Sequence, residues 1–241
     1  MLKSVPVTSE SPHCSTCMMA SVCLPTGMST NEVAQLDDLV KERLRIEKGQ
    51  ALFQHGKGFD ALFALRSGSI KTQMIEACGQ HQITGFFLPG EVVGLDGMMQ
   101  RTHSSTAVAM EDSEVCVIKL ADIDEISRRL PILQHQVRLL MSKEIARSHH
   151  IMLALGSMRS EQRLATFLIN LSQRLTALGY SSIEFSMRMS REEIGNFLGL
   201  TLETISRVFS RFARDGVMQV HQREIKILDM VALNELVDRP F

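Results

Sequence analysis

Apolar residues alternate between helical and strand-like spacing along the chain, and the changes in spacing divide it into distinct stretches. Residues 1–29 are rich in Ser, Pro and Cys and show no periodicity, which predicts an irregular arm. In residues 30–44 apolar side chains recur at helical spacing, so a short helix is predicted there (Val33, Leu36, Leu39 and Val40). Residues 46–120 contain short β-prone runs broken by glycines, such as ALFALRSGSI and HQITGFFLPGE. This pattern is typical of a compact β-sandwich or roll.

Helical spacing returns in residues 122–155. After Pro131, positions 141, 145, 148, 152 and 155 advance by four and three residues in turn, which is the spacing of a coiled-coil seam. A long helix beside a small β domain leaves apolar surface that a second copy of the chain would cover. We therefore predict a homodimer whose interface contains Val137, Met141, Ile145, Ser148, Met152 and Leu155. The alternative is a helix that packs only on its own domain.

The segment Ser190–Gly216 has the pattern of a helix-turn-helix. Ser190 and Glu193 form a capping box that starts one helix, and Gly199 is placed to end it. Thr201 can cap the second helix, in which Ile205, Val208, Phe209 and Phe212 share the inward face. The expected elements around this segment are a hinge at 157–160, a helix at 161–178, strands at 183–187, 217–220 and 224–228, and a last helix.

The exposed face of the second helix carries groups that can read DNA bases. Arg207 can bind guanine through two hydrogen bonds, Glu203 can accept one from cytosine, and Ser206 is an adaptable contact. Thr201 and Arg211 complete the predicted DNA-binding set. An ordinary helical hairpin with a charged face is the alternative, but two strands after the second helix favour a winged DNA-binding domain.

These patterns predict an α+β protein with an N-terminal β-roll, a long dimerisation helix and a C-terminal winged helix-turn-helix. The predicted boundaries are an arm at 1–29, the roll at 30–121, the helix at 122–156 and the DNA-binding domain at 157–241. Net charge is −1, and residues 159–241 carry 11 Lys and Arg against 10 Asp and Glu, so DNA affinity must come from local charge placement.

Composition and motifs exclude several classes of protein. No apolar run approaches the ~18 residues that span a bilayer, and the N-terminus lacks a signal-peptide core, so we expect a cytoplasmic protein without membrane contact. The sequence contains no nucleophile–base motif, and no glycine-rich phosphate loop follows a predicted strand. We therefore do not expect an enzyme.

Three of the five cysteines lie close together near the start of the chain, which predicts metal or cluster ligands, or redox thiols, in the arm. Cys14, Cys17 and Cys23 are spaced C-x2-C-x5-C, Cys116 lies late in the roll, and Cys78 in EACGQ is interpreted as a non-ligand. A cytosolic location argues against disulfides. From the residues alone, an iron–sulfur cluster and a zinc site, in which His13 could replace one cysteine, both remain open.

The order of these elements resembles the CRP/FNR family of bacterial regulators over essentially the whole chain. The roll contains the glycine patterns RSGSIK and LPGEVVG, as the family does. The arm cysteines, Cys116 in SEVCVIK and the helix LTLETISR resemble the FNR branch. The resemblance implies that Cys14, Cys17, Cys23 and Cys116 hold one oxygen-labile [4Fe–4S] cluster. It also implies a dimer that binds a site like TTGAT-N4-ATCAA at low oxygen.

The resemblance further implies that the chain activates some genes through RNA polymerase and represses others, with Ser67 and the loop around Gly79 at positions where family members contact the polymerase. Two local departures matter. Ser148 stands where such proteins often carry an acid, which predicts dimerisation that depends less on the cluster. His103–Ser104–Ser105 stands where a cyclic-nucleotide site needs Arg, and Arg101 is out of place, so no cyclic nucleotide is expected.

Overall fold

The computed structural model describes residues 2–7, 13–75, 79 and 81–238, and Cys78 lies outside these residues. The chain forms two compact units, Met1–Glu144 and Ile145–Phe241. The boundary between them falls within one long helix.

The first unit contains a β-roll of two antiparallel sheets. One sheet has the order β1-β2-β9-β4-β7 and the other the order β3-β8-β5-β6. The strands are β1 Lys3–Pro6, β2 Glu42–Ile46, β3 Ala51–Phe53, β4 Ala61–Ser67, β5 Ile70–Ile75, β6 His81–Phe87, β7 Val92–Val93, β8 Thr106–Ala109 and β9 Ser113–Lys119. Alternate residues turn inward to a core that includes Ile46, Leu65, Ile70 and Val115. The predicted β-roll is therefore confirmed.

The predicted helix over residues 30–44 is correct only in its first part. Helix α1 covers Thr30–Gln35 and a 3-10 turn covers Asp37–Leu39, but residues 42–46 form β2. In ERLRI the side chains alternate, with Leu44 and Ile46 against the roll core. Antiparallel pairing of this segment with β9 outweighs the weak helical spacing.

The arm is more ordered than its sequence predicts. Lys3–Pro6 adds a strand to the edge of β2, with Lys3 opposite Arg45, and Cys14–Thr16 forms a 3-10 turn. A strand of this kind depends on its partner, and four residues without periodicity give no local signal.

The stretch 122–156, expected as one dimerisation helix, consists of two helices. Helix α2 covers Leu120–Arg129 and α3 covers the 27 residues Pro131–Ser157. The break falls at Leu130 because a residue that precedes proline is disfavoured in helical conformation. The expectation of a helix longer than 20 residues is confirmed for α3.

The second unit is a winged helix-turn-helix, as predicted. Its elements are α4 Ser160–Ala177, β10 Glu184–Ser186, α5 Arg191–Leu198, α6 Leu202–Arg214, β11 Met218–His221, β12 Glu224–Ile227 and α7 Met230–Asp238. The sheet order is β10-β12-β11, with both pairs antiparallel. Within the described residues, no helix has the length and apolar character needed to cross a membrane.

Candidate nucleic-acid interface and cysteine centre

The turn between α5 and α6 is fixed by capping and by a close backbone approach. Glu193 N–H donates to Ser190 Oγ at 3.1 Å, and Ser190 N–H donates to the Glu193 carboxylate at 2.7 Å. Gly199 ends α5 in the left-handed conformation. A Cβ on Gly195 would lie 2.7 Å from the carbonyl oxygen of Leu200, so only glycine allows the chain to fold back there.

Helix α6 presents the predicted recognition face. Thr204 N–H donates to Thr201 Oγ1 at 3.2 Å, which caps the helix at its start. The four inward residues are buried: Ile205, Val208, Phe209 and Phe212. Glu203 and Arg207 are exposed and Ser206 is half-buried, which leaves these side chains on the face turned from the core.

The surroundings of two further residues of α6 bear on the recognition face. Arg211 donates to Glu161 at 2.8 Å and lies 3.7 Å from Asp215, so it is engaged with carboxylates of its own domain. Burial raises the pKa of Glu161, but hydrogen bonds from its own backbone and Ser160, with the Arg211 charge, lower the pKa overall. Leu202, not singled out from the sequence, is 51% exposed at the start of α6. An exposed leucine at this position can make an apolar contact with a thymine methyl group. Its place directly after the cap Thr201 is the sequence feature that could have identified it.

Arg163 of α4 joins three backbone segments of the second unit. Its guanidinium donates to the carbonyl oxygens of Leu155, Met158 and Leu198 at 2.8, 2.9 and 2.9 Å. Leu155 lies in the last turn of α3 and Leu198 ends α5, so one cation satisfies carbonyls at two helix C-termini.

Short backbone turns hold the arm cysteines against the roll. Cys17 N–H donates to the Cys14 carbonyl at 3.3 Å, and Cys23 N–H donates to the Met19 carbonyl at 2.9 Å. A Cβ on Gly90 would lie 2.6 Å from Val22 Cγ2, so the arm packs tightly on the turn after β6. On the roll side, Cys116 of β9 lies opposite Arg43 of β2 and Ala64 of β4.

The cysteine thiols are partly or largely withdrawn from solvent and lie close enough to influence one another's ionisation. Burial, followed by the charges of Cys23 and Cys116, raises the pKa of Cys14 to about 12. Burial also raises the pKa of Cys23 to about 12, with Cys116 and Cys17 contributing. The pKa of Cys116 is raised by burial against the lowering effect of Arg43. Thiolates in this place need added positive charge, which a metal centre supplies.

The donor set fits a four-thiolate group in its chemistry. All four described cysteines are free thiols of intermediate exposure. Among the described residues, however, no three His, Cys, Asp or Glu side chains converge as a metal site. The thiols therefore lie near one another without converging, and His13, the alternative ligand, also lies in the arm.

One apolar cluster joins the arm, Cys116 and the first half of α3. We call it the arm cluster: it contains Leu24 of the arm and Leu133 and Val137 of α3, with Cys14, Cys23, Cys116, Met28, Leu140 and Met141 packed against it. Gln136 Nε2 also donates to the Thr26 carbonyl at 2.8 Å. The position of the arm is thus coupled to the surface of α3.

The predicted dimer seam divides into covered and uncovered residues. Val137 is 8% exposed and Met141 packs on the arm cluster, so both side chains are part of the apolar core of their own unit. Leu155 is half-buried. Ile145 and Met152 are 57% and 60% exposed, and Ser148 is exposed between them. Leu139 and Leu153, absent from the predicted seam, are also exposed apolar residues of α3.

In the part of the roll that resembles a phosphate-binding segment, the hydrogen-bond donors are already bonded to a carboxylate of the protein. Asp96 accepts from the backbone N–H groups of Ser104 and Ser105 at 3.0 and 2.9 Å and from the Ser105 hydroxyl at 2.8 Å. His103, 3% exposed, stacks on Phe53 with ring centroids 3.6 Å apart. Glu91 Oε2 accepts from Leu88 N–H within its own turn.

Comparison with known proteins matches both units. A model of the cyclic nucleotide-binding domain matches residues 43–129, and one of the Crp-like helix-turn-helix domain matches residues 162–236. The chain is 58% identical to the transcriptional regulatory protein btr of Bordetella pertussis over 98% of each chain. It is 44% identical to the transcriptional activator protein anr of Pseudomonas aeruginosa, over 92% of this chain and 91% of that protein. The structure of FixK2 from Bradyrhizobium japonicum superposes with a TM-score of 0.74 at 26% identity, over 80% of this chain and 96% of that one.

Proposed function

Because the chain belongs to the CRP/FNR family and is a DNA-binding transcription regulator, we propose that its signal is oxygen, sensed through a [4Fe–4S] cluster on Cys14, Cys17, Cys23 and Cys116. The arm cluster carries the proposal. It packs three of these cysteines and the first half of α3 in one apolar core, which is what a sensor that controls a dimer helix needs.

The residues around the cysteines act by holding the arm in place. When bound, the cluster supplies a metal centre that oxygen can oxidise and that ties the four thiolates together. Leu24 and the Gln136–Thr26 hydrogen bond hold the arm on α3, and Val22 on Gly90 holds it on the roll. Loss of the thiolate links would leave only these contacts, so the arm would detach more readily.

The exposed apolar residues of α3 are the proposed dimer surface. Ile145 and Met152 lie one above the other at heptad spacing, more than half exposed. A second copy would cover them and would place two recognition helices on a two-fold DNA site. Glu203, Ser206 and Arg207 would read each half of a TTGAT-N4-ATCAA-like sequence. Activation through RNA polymerase, repression at other sites and a cytoplasmic location complete the proposal.

The main alternative is a CRP-like regulator with another signal, either zinc or thiol redox chemistry or a small ligand. The geometry of Asp96 argues against a cyclic nucleotide, because its carboxylate already accepts from the N–H groups that would bind a phosphate. A second anion there would meet like charge without an arginine to offset it. Zinc suits four thiolates as well, so metal analysis must separate the two.

The test is anaerobic purification of the full-length protein, followed by iron, sulfide and zinc analysis and DNA binding before and after air. We expect about four irons per chain, a visible absorption that bleaches in air, and site-specific binding lost together with it. Cys23→Ser should lose the cluster, whereas Arg207→Ala should keep it and lose specific DNA binding. A colourless protein, or one that holds zinc, after strictly anaerobic work contradicts the oxygen proposal.

A further inference from the structure

The sheet face that bears Cys116 also bears a group of arginines. Cys116 and Glu114 lie two residues apart on β9, so their side chains share one face. Arg43 lies opposite Cys116, and Arg45 lies opposite Glu114. Glu114 accepts from Arg66 at 2.6 Å and from Arg45 Nε at 3.2 Å, and lies 3.8 Å from Arg43 Nη1. We call Arg43, Arg45, Arg66 and Glu114 the arginine cluster.

The arginine cluster carries more positive charge than its own carboxylate offsets. Three guanidiniums meet one carboxylate. The side chain of Arg43 is 9% exposed and that of Arg66 is 31% exposed, whereas that of Arg45 is 65% exposed and mostly solvated. A buried guanidinium is costly unless anions lie close to it, so an anionic group bound beside Arg43 would offset this cost.

The excess charge is directed at the cysteines. Arg43 donates a hydrogen bond to Cys116, and its charge acts on the same thiol. The charge of Arg66 interacts with both Cys17 of the arm and Cys116 of the roll. Arg66 therefore acts on a cysteine of the arm and on the cysteine of the roll, and Arg43 acts on the roll cysteine opposite it.

We propose that Arg43 and Arg66, both held in place by Glu114, are positioning residues for the cysteine centre. The two guanidiniums offset the negative charge of the bound cluster and so raise its reduction potential. This inference rests on the proposed iron–sulfur function. Four thiolates carry more negative charge than a cluster core carries positive charge, so the bound group is an anion. Nearby cations and hydrogen bonds to sulfur are established determinants of cluster potential.

The test compares three full-length proteins reconstituted anaerobically: wild type, Arg43→Met and Arg45→Met. Arg45→Met is the control, because it lowers the net charge by the same amount at an exposed position. The readouts are iron per chain, the visible spectrum and the midpoint potential from a redox titration. For Arg43→Met we expect severalfold less iron retained after gel filtration. We also expect about a tenfold lower ratio of reduced to oxidised cluster at a given potential, a shift of about 59 mV to more negative values. Arg45→Met should stay close to wild type.

Two further variants separate charge from folding. Arg43→Lys keeps the charge and should recover most of the potential, and Arg66→Met should shift the potential in the same direction as Arg43→Met. A wild type without iron defeats the proposed function itself. If wild type holds the cluster, and Arg43→Met and Arg66→Met have the same midpoint potential and iron content as wild type, this inference alone is overturned. An equal shift in Arg45→Met also overturns it, because overall charge would then explain the effect.

Discussion

Arg163→Met tests whether one side chain joins the end of α3 to the helix-turn-helix. The guanidinium donates to three backbone carbonyls, those of Leu155, Met158 and Leu198, at 2.8 to 2.9 Å. Methionine keeps an apolar stem of similar length and removes all the donors. The three carbonyls belong to the last turn of α3, the hinge and the end of α5, so the substitution loosens all three together.

The expected cost follows from the number and kind of hydrogen bonds. A hydrogen bond from a charged donor contributes about 1.5–3 kcal/mol when well buried. Arg163 is only half-buried, and water can replace it at helix ends, so we take about 1 kcal/mol for each bond. The total of about 3 kcal/mol is a large part of the ~5–15 kcal/mol that stabilises a small domain. It corresponds to roughly a hundredfold change in the opening equilibrium.

Hydrogen exchange of the full-length protein, read by mass spectrometry, measures this directly. Amides of α5 and of the last turn of α3 should exchange roughly a hundredfold faster in Arg163→Met, while those of the β-roll stay unchanged. Arg214→Met is the matched control, because that side chain is 75% exposed and its hydrogen bond, at 3.4 Å, goes to the neighbouring Asp215. Wild-type protection of α5 in Arg163→Met would refute the reasoning.

Three further predictions follow from the same geometry. Leu24→Ala removes a side chain that is 5% exposed in the arm cluster and should cost about 2–5 kcal/mol of arm docking, seen as faster proteolysis of the arm. Met18→Ala, at an 89% exposed position of the arm, should leave the rate of arm proteolysis unchanged. Equal rates in the two variants would contradict the role of Leu24 in holding the arm. Glu161→Gln removes the negative charge that pairs with Arg211 and should strengthen DNA binding with a steeper salt dependence. An unchanged slope in a filter-binding titration would exclude Arg211 from the interface. Because Ser148 places no charge in the seam, cluster-free protein should sediment partly as dimer at micromolar concentration, and monomers alone would show this prediction to be wrong.

Local signals in the sequence were sufficient for the DNA-binding domain. The Ser190–Glu193 capping box, Gly199 and the spacing of Ile205, Val208 and Phe209 are short-range features, and each has the predicted conformation. Caps and helical faces depend on neighbours within one or two turns, so a single sequence contains what determines them.

Features that depend on distant partners could not be predicted in the same way. The arm strand Lys3–Pro6 exists because β2 offers a free edge, and β2 itself was expected as helix. The burial of Arg43 follows from its register opposite Cys116, which no local pattern contains. Val137 fits a coiled-coil seam by spacing, but the arm cluster covers it, and spacing alone cannot tell which apolar surface a helical face meets.

In the proposed function, helix α3 carries a change at the cysteines toward the DNA-binding domain, because it runs without a break from the first unit into the second. Its first half shares the arm cluster with Leu24 and Cys23, and its last turn is bonded to Arg163. A switch from mostly inactive to mostly active protein needs roughly 5.5 kcal/mol of differential binding. Burial of Leu24 in the arm cluster is one contribution to this energy, at about 2–5 kcal/mol for the loss of its side chain. In the proposed function, thiolate links to a cluster would add to arm docking, and the proposed dimer surface at Ile145 and Met152 lies between the two ends of the same helix.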